Sequence, residues 1–223
     1  MSNYILLSHI LDVNTPSYGG RDKLIIEHTS RIKDGKSANS SKWTFTSNHL
    51  GTHVDVPRHF FDNGKTITDY SPSEWIFYMV QVLDVPINTG RLIRIKDIDQ
   101  NINKDIDLLI IRTGYEKFRK IEKYWNDNPG LAPELGVWLR KEFKDLRAIG
   151  FDFISLTSWK FRDIGKKAHR AFLDPDGKNS PIRIIEDMSL ACINNEISEV
   201  IVAPLFINKS NGSPVSVFSK IGN

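Results

Sequence analysis

Three of the chain's six histidines and an aspartate fall within one short segment, spaced His-x3-His-x-Asp-x3-His as His49, His53, Asp55 and His59. Imidazole nitrogens and a carboxylate oxygen are the donor atoms that a zinc-like divalent cation accepts. Such a cation acidifies water and polarises carbonyls, so hydrolysis without a serine or cysteine nucleophile is the chemistry this donor set offers. The intervening residues decide how the donors can meet. Gly51, Thr52, Val54, Val56 and Pro57 disfavour a helix. A turn at Leu50–Gly51 followed by a short extended run fits them better. In an extended run, residues two apart point the same way, so His53 and Asp55 project together and His49 folds back over the turn to join them. A hydrogen-bonded polar cluster without metal is the alternative that the residues by themselves leave open.

A scaffold must hold that segment, and the rest of the chain reads as one. The 223 residues are 40% hydrophobic and 26% charged with a net charge of +3, which suits one α/β domain spanning 1–223. Strands are expected at 4–10, 23–28, 43–46, 75–85, 107–114, 147–153, 199–204 and 213–218, where β-branched and aromatic residues lie between turn formers. Residues 107–114 are continuously aliphatic, the pattern of a strand covered on both faces. Helices are expected at 115–125, 133–143 and 167–173, the second opened by Pro133, and 174–181 reads as an exposed, turn-rich loop. Basic residues are scattered among acids, which argues against a nucleic-acid partner. No segment approaches the roughly 20 apolar residues needed to cross a bilayer, and the start of the chain has no basic, signal-like run. The lone Cys192 has no internal partner, which fits a reducing, cytoplasmic compartment, and its apolar neighbours predict a buried side chain.

The segment from His49 to His59 resembles the H-x-G-T-H-x-D-x-P-x-H signature of the metal-dependent cyclase family, which includes bacterial kynurenine formamidases and isatin hydrolases. Further matches follow in the family's order. Thr15-Pro16-Ser17-Tyr18-Gly19-Gly20 is similar to its T-P-x-[WY]-P-G segment. Gly150-Phe151-Asp152-Phe153-Ile154-Ser155 is similar to G-x-D-x-x-S, and Ala168-His169-Arg170-Ala171-Phe172-Leu173 to x-H-R-x-L-L. Ile184-Ile185-Glu186-Asp187-Met188 resembles I-[IV]-E-[NG]-L, and Ser213-Pro214-Val215 resembles the terminal S-P-[VA]. The resemblance implies a mixed-sheet fold of the swivelling β/β/α type and a homo-oligomer, a dimer or tetramer. It implies two divalent ions, Zn²⁺ or Mn²⁺, held by His49, His53, Asp55, His169 and Glu186, with Asp55 bridging, Glu186 also able to bridge, and His59 as the acid/base residue. Paired ions roughly 3.5–4 Å apart can share a hydroxide that attacks a carbonyl. Tyr18 is the expected substrate-binding residue, closing the pocket by stacking.

The resemblance also implies the activity: hydrolysis of the C–N bond of a small N-formyl or cyclic aryl amide by metal-bound hydroxide. An isatin-type lactam hydrolase, a polyketide-like cyclase or dehydratase, and a non-catalytic metal- or ligand-binding protein are the rivals. Several residues depart from the family pattern. Gly19 replaces a proline, Tyr18 stands where formamidases favour tryptophan, and Thr157 where aspartate is common. Asp187 stands in place of asparagine or glycine. The span between His169 and Glu186 is long, with the extra residues in 174–181, where they are expected to reshape the pocket.

Overall fold

Nine strands join in one mixed sheet whose two ends come from adjacent stretches of chain. The computed structural model describes residues 4–98 and 102–222. In chain order the strands are β1 (Tyr4–Leu6), β2 (Leu24–Ser30), β3 (Ser40–Phe45), β4 (His53–Asp55), β5 (Ile76–Phe77), β6 (Val80–Asp84), β7 (Leu92–Ile93), β8 (Leu108–Arg112), β9 (Gly130–Leu131), β10 (Ala148–Phe151), β11 (Arg183–Glu186), β12 (Ile197–Pro204) and β13 (Gly212–Ile221). The helices are α1 (Lys123–Asn126), α2 (Pro133–Glu142) and α3 (Arg162–Leu173). The sheet runs β5-β12-β13-β4-β11-β10-β8-β6, with β1 added to β13. Pairing from β6 to β11 is parallel, and from β11 through β4 and β13 to β5 it is antiparallel. Only Tyr78 and Met79 separate the strands at the two edges, so the sheet curls almost closed. This α/β architecture is the expected one.

The parallel centre shows why those strands read as unbroken aliphatic runs. In β8, Leu109 and Ile111 enter one core with Ile149, Phe151 and Ile184, against Leu135 and Leu139 of α2 and Ala168 and Phe172 of α3. Leu108 and Ile110 enter the other core with Ala148, Ile185, Val54 and Val217. Alternate side chains thus feed opposite cores, and neither face of the strand is left for water. Pro133 occupies the first turn of α2, where its missing N–H costs nothing. Gly136 lets α2 approach α3, since a side chain there would collide with the Phe172 ring.

Two expected elements are replaced by something else. The run 75–85 is two strands: Tyr78 and Met79 are exposed, and their N–H groups donate to the Asp107 carboxylate at 3.1 Å each. Asp107 therefore holds the chain open where it passes from one sheet edge to the other. The helix expected over 115–125 is a 3-10 turn at Tyr115–Phe118 followed by the short α1. Here long-range partners outcompete the helix. Asp152 accepts the N–H groups of Thr113 and Gly114, Glu116 accepts that of Leu190, and Arg119 reaches Asp187. Cys192 is exposed rather than buried; Ile193 beside it takes the inward position. The loop 174–181 does not line the pocket. It is tied to α2, with Arg140 donating to the Asn179 carbonyl at 2.8 Å and Asn179 donating back to the Arg140 carbonyl at 2.6 Å.

Candidate metal centre

The left-handed turn at Gly51 (φ 67°) delivers the chain into β4 with His53 and Asp55 on one side. β4 lies antiparallel to β11, and the register sets Glu186 directly opposite His53. Cross-strand neighbours on one face lie close together, and here His53 Nε2 and Glu186 Oε2 are 3.2 Å apart. α3 crosses above and presents His169, whose Nε2 lies 3.5 Å from Asp55 Oδ2 and 3.6 Å from Glu186 Oε1. His49 comes back over the turn to place Nδ1 2.7 Å from Asp55 Oδ1. His59, from the 3-10 turn Pro57–His59, places Nε2 3.8 Å from Asp55 Oδ2. All six side chains singled out around this chemistry line one cavity of about 440 Å³.

Backbone and amide groups fix how the rings face. His53 Nδ1 lies 2.7 Å from the Gly51 carbonyl and His169 Nδ1 3.0 Å from that of Gly165. Each ring thus donates from Nδ1 and turns Nε2 toward the carboxylates, the arrangement that orients an imidazole ligand. His49 is turned the other way, its Nε2 3.1 Å from Asn211 Oδ1, which also accepts from Asn48. An alanine at position 51 would hold the left-handed conformation at a cost of about 1–2 kcal/mol. Its Cβ would also meet Leu11. Gly51→Ala is therefore expected to lower the melting temperature and shift His53, read by thermal unfolding and by the His53 ring signals in NMR; an unchanged melt and spectrum would contradict this account of the turn.

The donor set fits a divalent ion. Asp55 and Glu186 are almost fully buried, and among the described residues only imidazoles lie within ion-pair distance of them. Buried carboxylates demand a compensating positive charge. Without a metal the imidazoles must carry it. Burial alone would lower His53, but the hydrogen bond and charge of Glu186, with Asp55, raise it to about 9. Likewise Asp55 and Glu186 overcome burial at His169 and raise it to about 10. Asp55 is held well below the usual carboxylate range because the surrounding imidazoles outweigh its desolvation. Ligand atoms of His49, Asp55 and His59 lie within 4.8 Å of one another, and so do those of His53, Asp55 and Glu186. Asp55 belongs to both groups.

The Cyclase family model matches residues 5–157, more than half of the chain and including the first histidine segment. The chain belongs to the Cyclase family. His169 and Glu186 fall beyond the matched residues, and it is the fold that carries them to the family's histidine segment. A kynurenine formamidase of Bacillus cytotoxicus is 26% identical over 214 residues, covering 96% of this chain and 95% of its own. The fold is shared with isatin hydrolase A of Labrenzia aggregata, solved with benzyl benzoate, at a TM-score of 0.80 and 19% identity over 100% of this chain and 94% of that one. A potential metal-dependent hydrolase with cyclase activity superposes at a TM-score of 0.78 with 16% identity, both chains covered fully.

Other residues of this Cyclase-family chain take positions that the sequence assigns less directly. Tyr18 lines the cavity and stands edge-on to Trp159, with ring centroids 5.1 Å apart. Asp152 ties the exit of β8 through Thr113 and Gly114, a positioning role away from the pocket, whereas Ser155 lines it. Thr157 Oγ1 lies 3.2 Å from His169 Nδ1. His28 is exposed, and His9 sits 3.9 Å from Asp187 and 3.7 Å from Glu116. Phe60, Arg21, Arg162 and Lys166 also line the cavity, and none of them is among the site residues the sequence predicts. For two of them a signal exists: Arg162 and Lys166 stand seven and three residues before His169, on one face of a helix.

Proposed function

We propose that the chain is a metal-dependent hydrolase that cleaves the C–N bond of a small N-formyl or cyclic aryl amide. The observation that carries this reading is the convergence of four imidazoles and two buried carboxylates in one open cavity, on a chain 26% identical to a kynurenine formamidase along nearly its whole length. His49, His53, Asp55, His169 and Glu186 would hold one or two divalent ions, Zn²⁺ or Mn²⁺. Bound there, the metal supplies Lewis acidity toward the amide carbonyl and toward water. The chain's own residues do the rest. Burial, opposed in part by Asp55, pushes His59 down to about 4, so its ring is neutral near pH 7. A neutral imidazole can take a proton from attacking water at Nε2 and return it to the departing amine nitrogen. Phe60, stacked on His169 at 4.7 Å, and Ile154 give the cavity an apolar wall suited to an aryl group. Tyr18 faces the same space.

The test uses N-formylkynurenine, isatin and plain formanilide with Zn²⁺ and Mn²⁺. Turnover of the formamides or of isatin supports the reading, isatin alone narrowing it to lactam hydrolysis, and a metal-loaded protein inert on all three refutes it. A second reading makes His59 a ligand, favoured by its grouping with His49 and Asp55. His59→Ala is expected to lower kcat about 10²–10⁴-fold while elemental analysis finds metal near the wild-type level. Loss of metal together with activity would assign His59 to coordination.

A further inference from the structure

The inner end of the cavity is acidic and imidazole-rich, but its outer wall has the opposite sign. Arg21, Arg162 and Lys166 line it against a single carboxylate, Asp22, which is already bonded to Thr46 at 3.3 Å. Neither arginine has an ion-pair partner among the described residues. Lys166 has Asp163 at 3.8 Å, a side chain 94% exposed to water. Arg162 is placed rather than splayed. The Arg162 guanidinium lies 3.4 Å over the Trp159 ring, and Trp159 meets Tyr18 edge-on. The Tyr18 hydroxyl is buried and makes no well-formed hydrogen bond, the Arg162 guanidinium being the donor that comes nearest to serving it. Both Arg162 and Arg21 act against the burial that raises its phenol, which sets their charges close to it. A buried hydroxyl served at most by Arg162, next to two arginines without a carboxylate partner in an open cavity, is an arrangement completed by an anionic ligand.

Helix geometry gives the distance. At about 1.5 Å of rise per residue, Lys166 and Arg162 stand about 5 and 10 Å along α3 from His169. We propose, building on the amide-hydrolase reading, that Arg162, Arg21 and Lys166 form a carboxylate subsite. The preferred substrate is then an aryl amide with an acid group, and no ammonium group, about 5–10 Å from its scissile carbonyl. Three cations against one acid repel an ammonium group there, so a zwitterionic substrate loses at this wall what its carboxylate gains. Phe60 and Ile154 receive the ring between the two ends.

The matched probes are 3-(4-formamidophenyl)propanoate, formanilide and 2-(4-formamidophenyl)ethylamine, assayed on the metal-loaded enzyme. The acid is expected to show a KM about ten-fold or more below that of formanilide, as charge-assisted hydrogen bonds provide. The amine is expected to be the poorest of the three. Arg162→Gln and Arg21→Gln should each move the acid-to-neutral ratio of kcat/KM toward one, with Arg162→Lys retaining part of it, and added salt should shrink it. Calorimetry with 3-phenylpropanoate and 3-phenylpropylammonium supplies a readout free of turnover. Preference for the carboxylate, weakened about ten-fold in Arg162→Gln, supports the subsite. Equal binding of acid and amine, or carboxylate affinity unchanged in both glutamine variants because the acid sits on the metal instead, overturns it. If calorimetry shows the preference but no formamide turns over, the subsite stands and the amide reading falls.

Discussion

Replacing Asp55 by asparagine is expected to cost about 10³-fold or more in turnover and to strip the protein of bound metal. The reasoning starts from position. Asp55 alone among the six side chains belongs to both donor groups, and four imidazoles point nitrogen atoms at it between 2.7 and 3.8 Å. An amide is the same size but carries no charge, and one of its two terminal atoms is a donor rather than an acceptor. Glu186 would then be the only carboxylate among the described residues left to balance a divalent ion held by neutral His53 and His169. A hard, doubly charged ion that loses its shared carboxylate loses its strongest electrostatic partner. His49→Gln should be milder, because His49 belongs to one group and is more exposed. Elemental analysis of the purified variants, read beside formanilide turnover, checks the order Asp55→Asn worse than His49→Gln. Asp55→Asn retaining full metal and activity within ten-fold of wild type would remove Asp55 from the centre of the chemistry.

What could be read from the chain before its fold follows from how local each interaction is. The turn at Gly51 and the extended run after it depend on neighbouring residues, so His49, His53 and Asp55 were legible as a unit. Their meeting with Glu186 is a matter of strand register between β4 and β11, which neither segment reveals by itself. His169 and Glu186 entered only through resemblance to a family. The departures at 75–85 and 115–125 share a reason: Asp107, Asp152, Asp187 and Glu116 each accept hydrogen bonds from distant backbone or side chains. Propensity and periodicity carry no record of such long-range partners. The cationic wall was hidden differently. Arg162 and Lys166 fit the solvent face of a helix as well as they fit a pocket, and Arg21, which joins them from the segment around Tyr18, is far from them in sequence. The departure at Asp187 was visible, but its meaning was not, because asparagine and glycine share with it a tolerance for left-handed backbone.

That backbone is the basis of the second large effect. Asp187 has a φ of 54° and is completely buried, next to Glu186 in the chain. Its carboxylate takes a two-pronged bond from Arg119, Nε to Oδ1 at 3.0 Å and the terminal nitrogen to Oδ2 at 2.8 Å, and a further one from the Tyr124 hydroxyl. Its carbonyl accepts the Thr52 hydroxyl, one residue before His53. The pair therefore holds the end of β11 and the start of β4 in one frame. Asp187→Ala leaves a largely buried guanidinium and a buried phenol without their acceptor while keeping the left-handed strain, and is expected to destabilise by about 3–5 kcal/mol. In a chain of this length that lowers the melting temperature by about 6–20 °C. Asp187→Gly loses the same bonds but relieves the backbone, so it should be milder by about 1–2 kcal/mol. Arg119→Met strands the carboxylate in the interior and should cost at least as much as Asp187→Gly. The double variant should cost less than the two together, because each partner is harmful chiefly when the other remains. Weaker metal retention, about 10–100-fold in affinity, should accompany the single variants as Glu186 and His53 lose their frame. Thermal unfolding across this set, paired with metal titration, decides the matter: alanine and glycine variants that melt alike would mean that the left-handed backbone carries no strain, and effects that simply add, with metal affinity unchanged, would mean that the ion pair does not support the site.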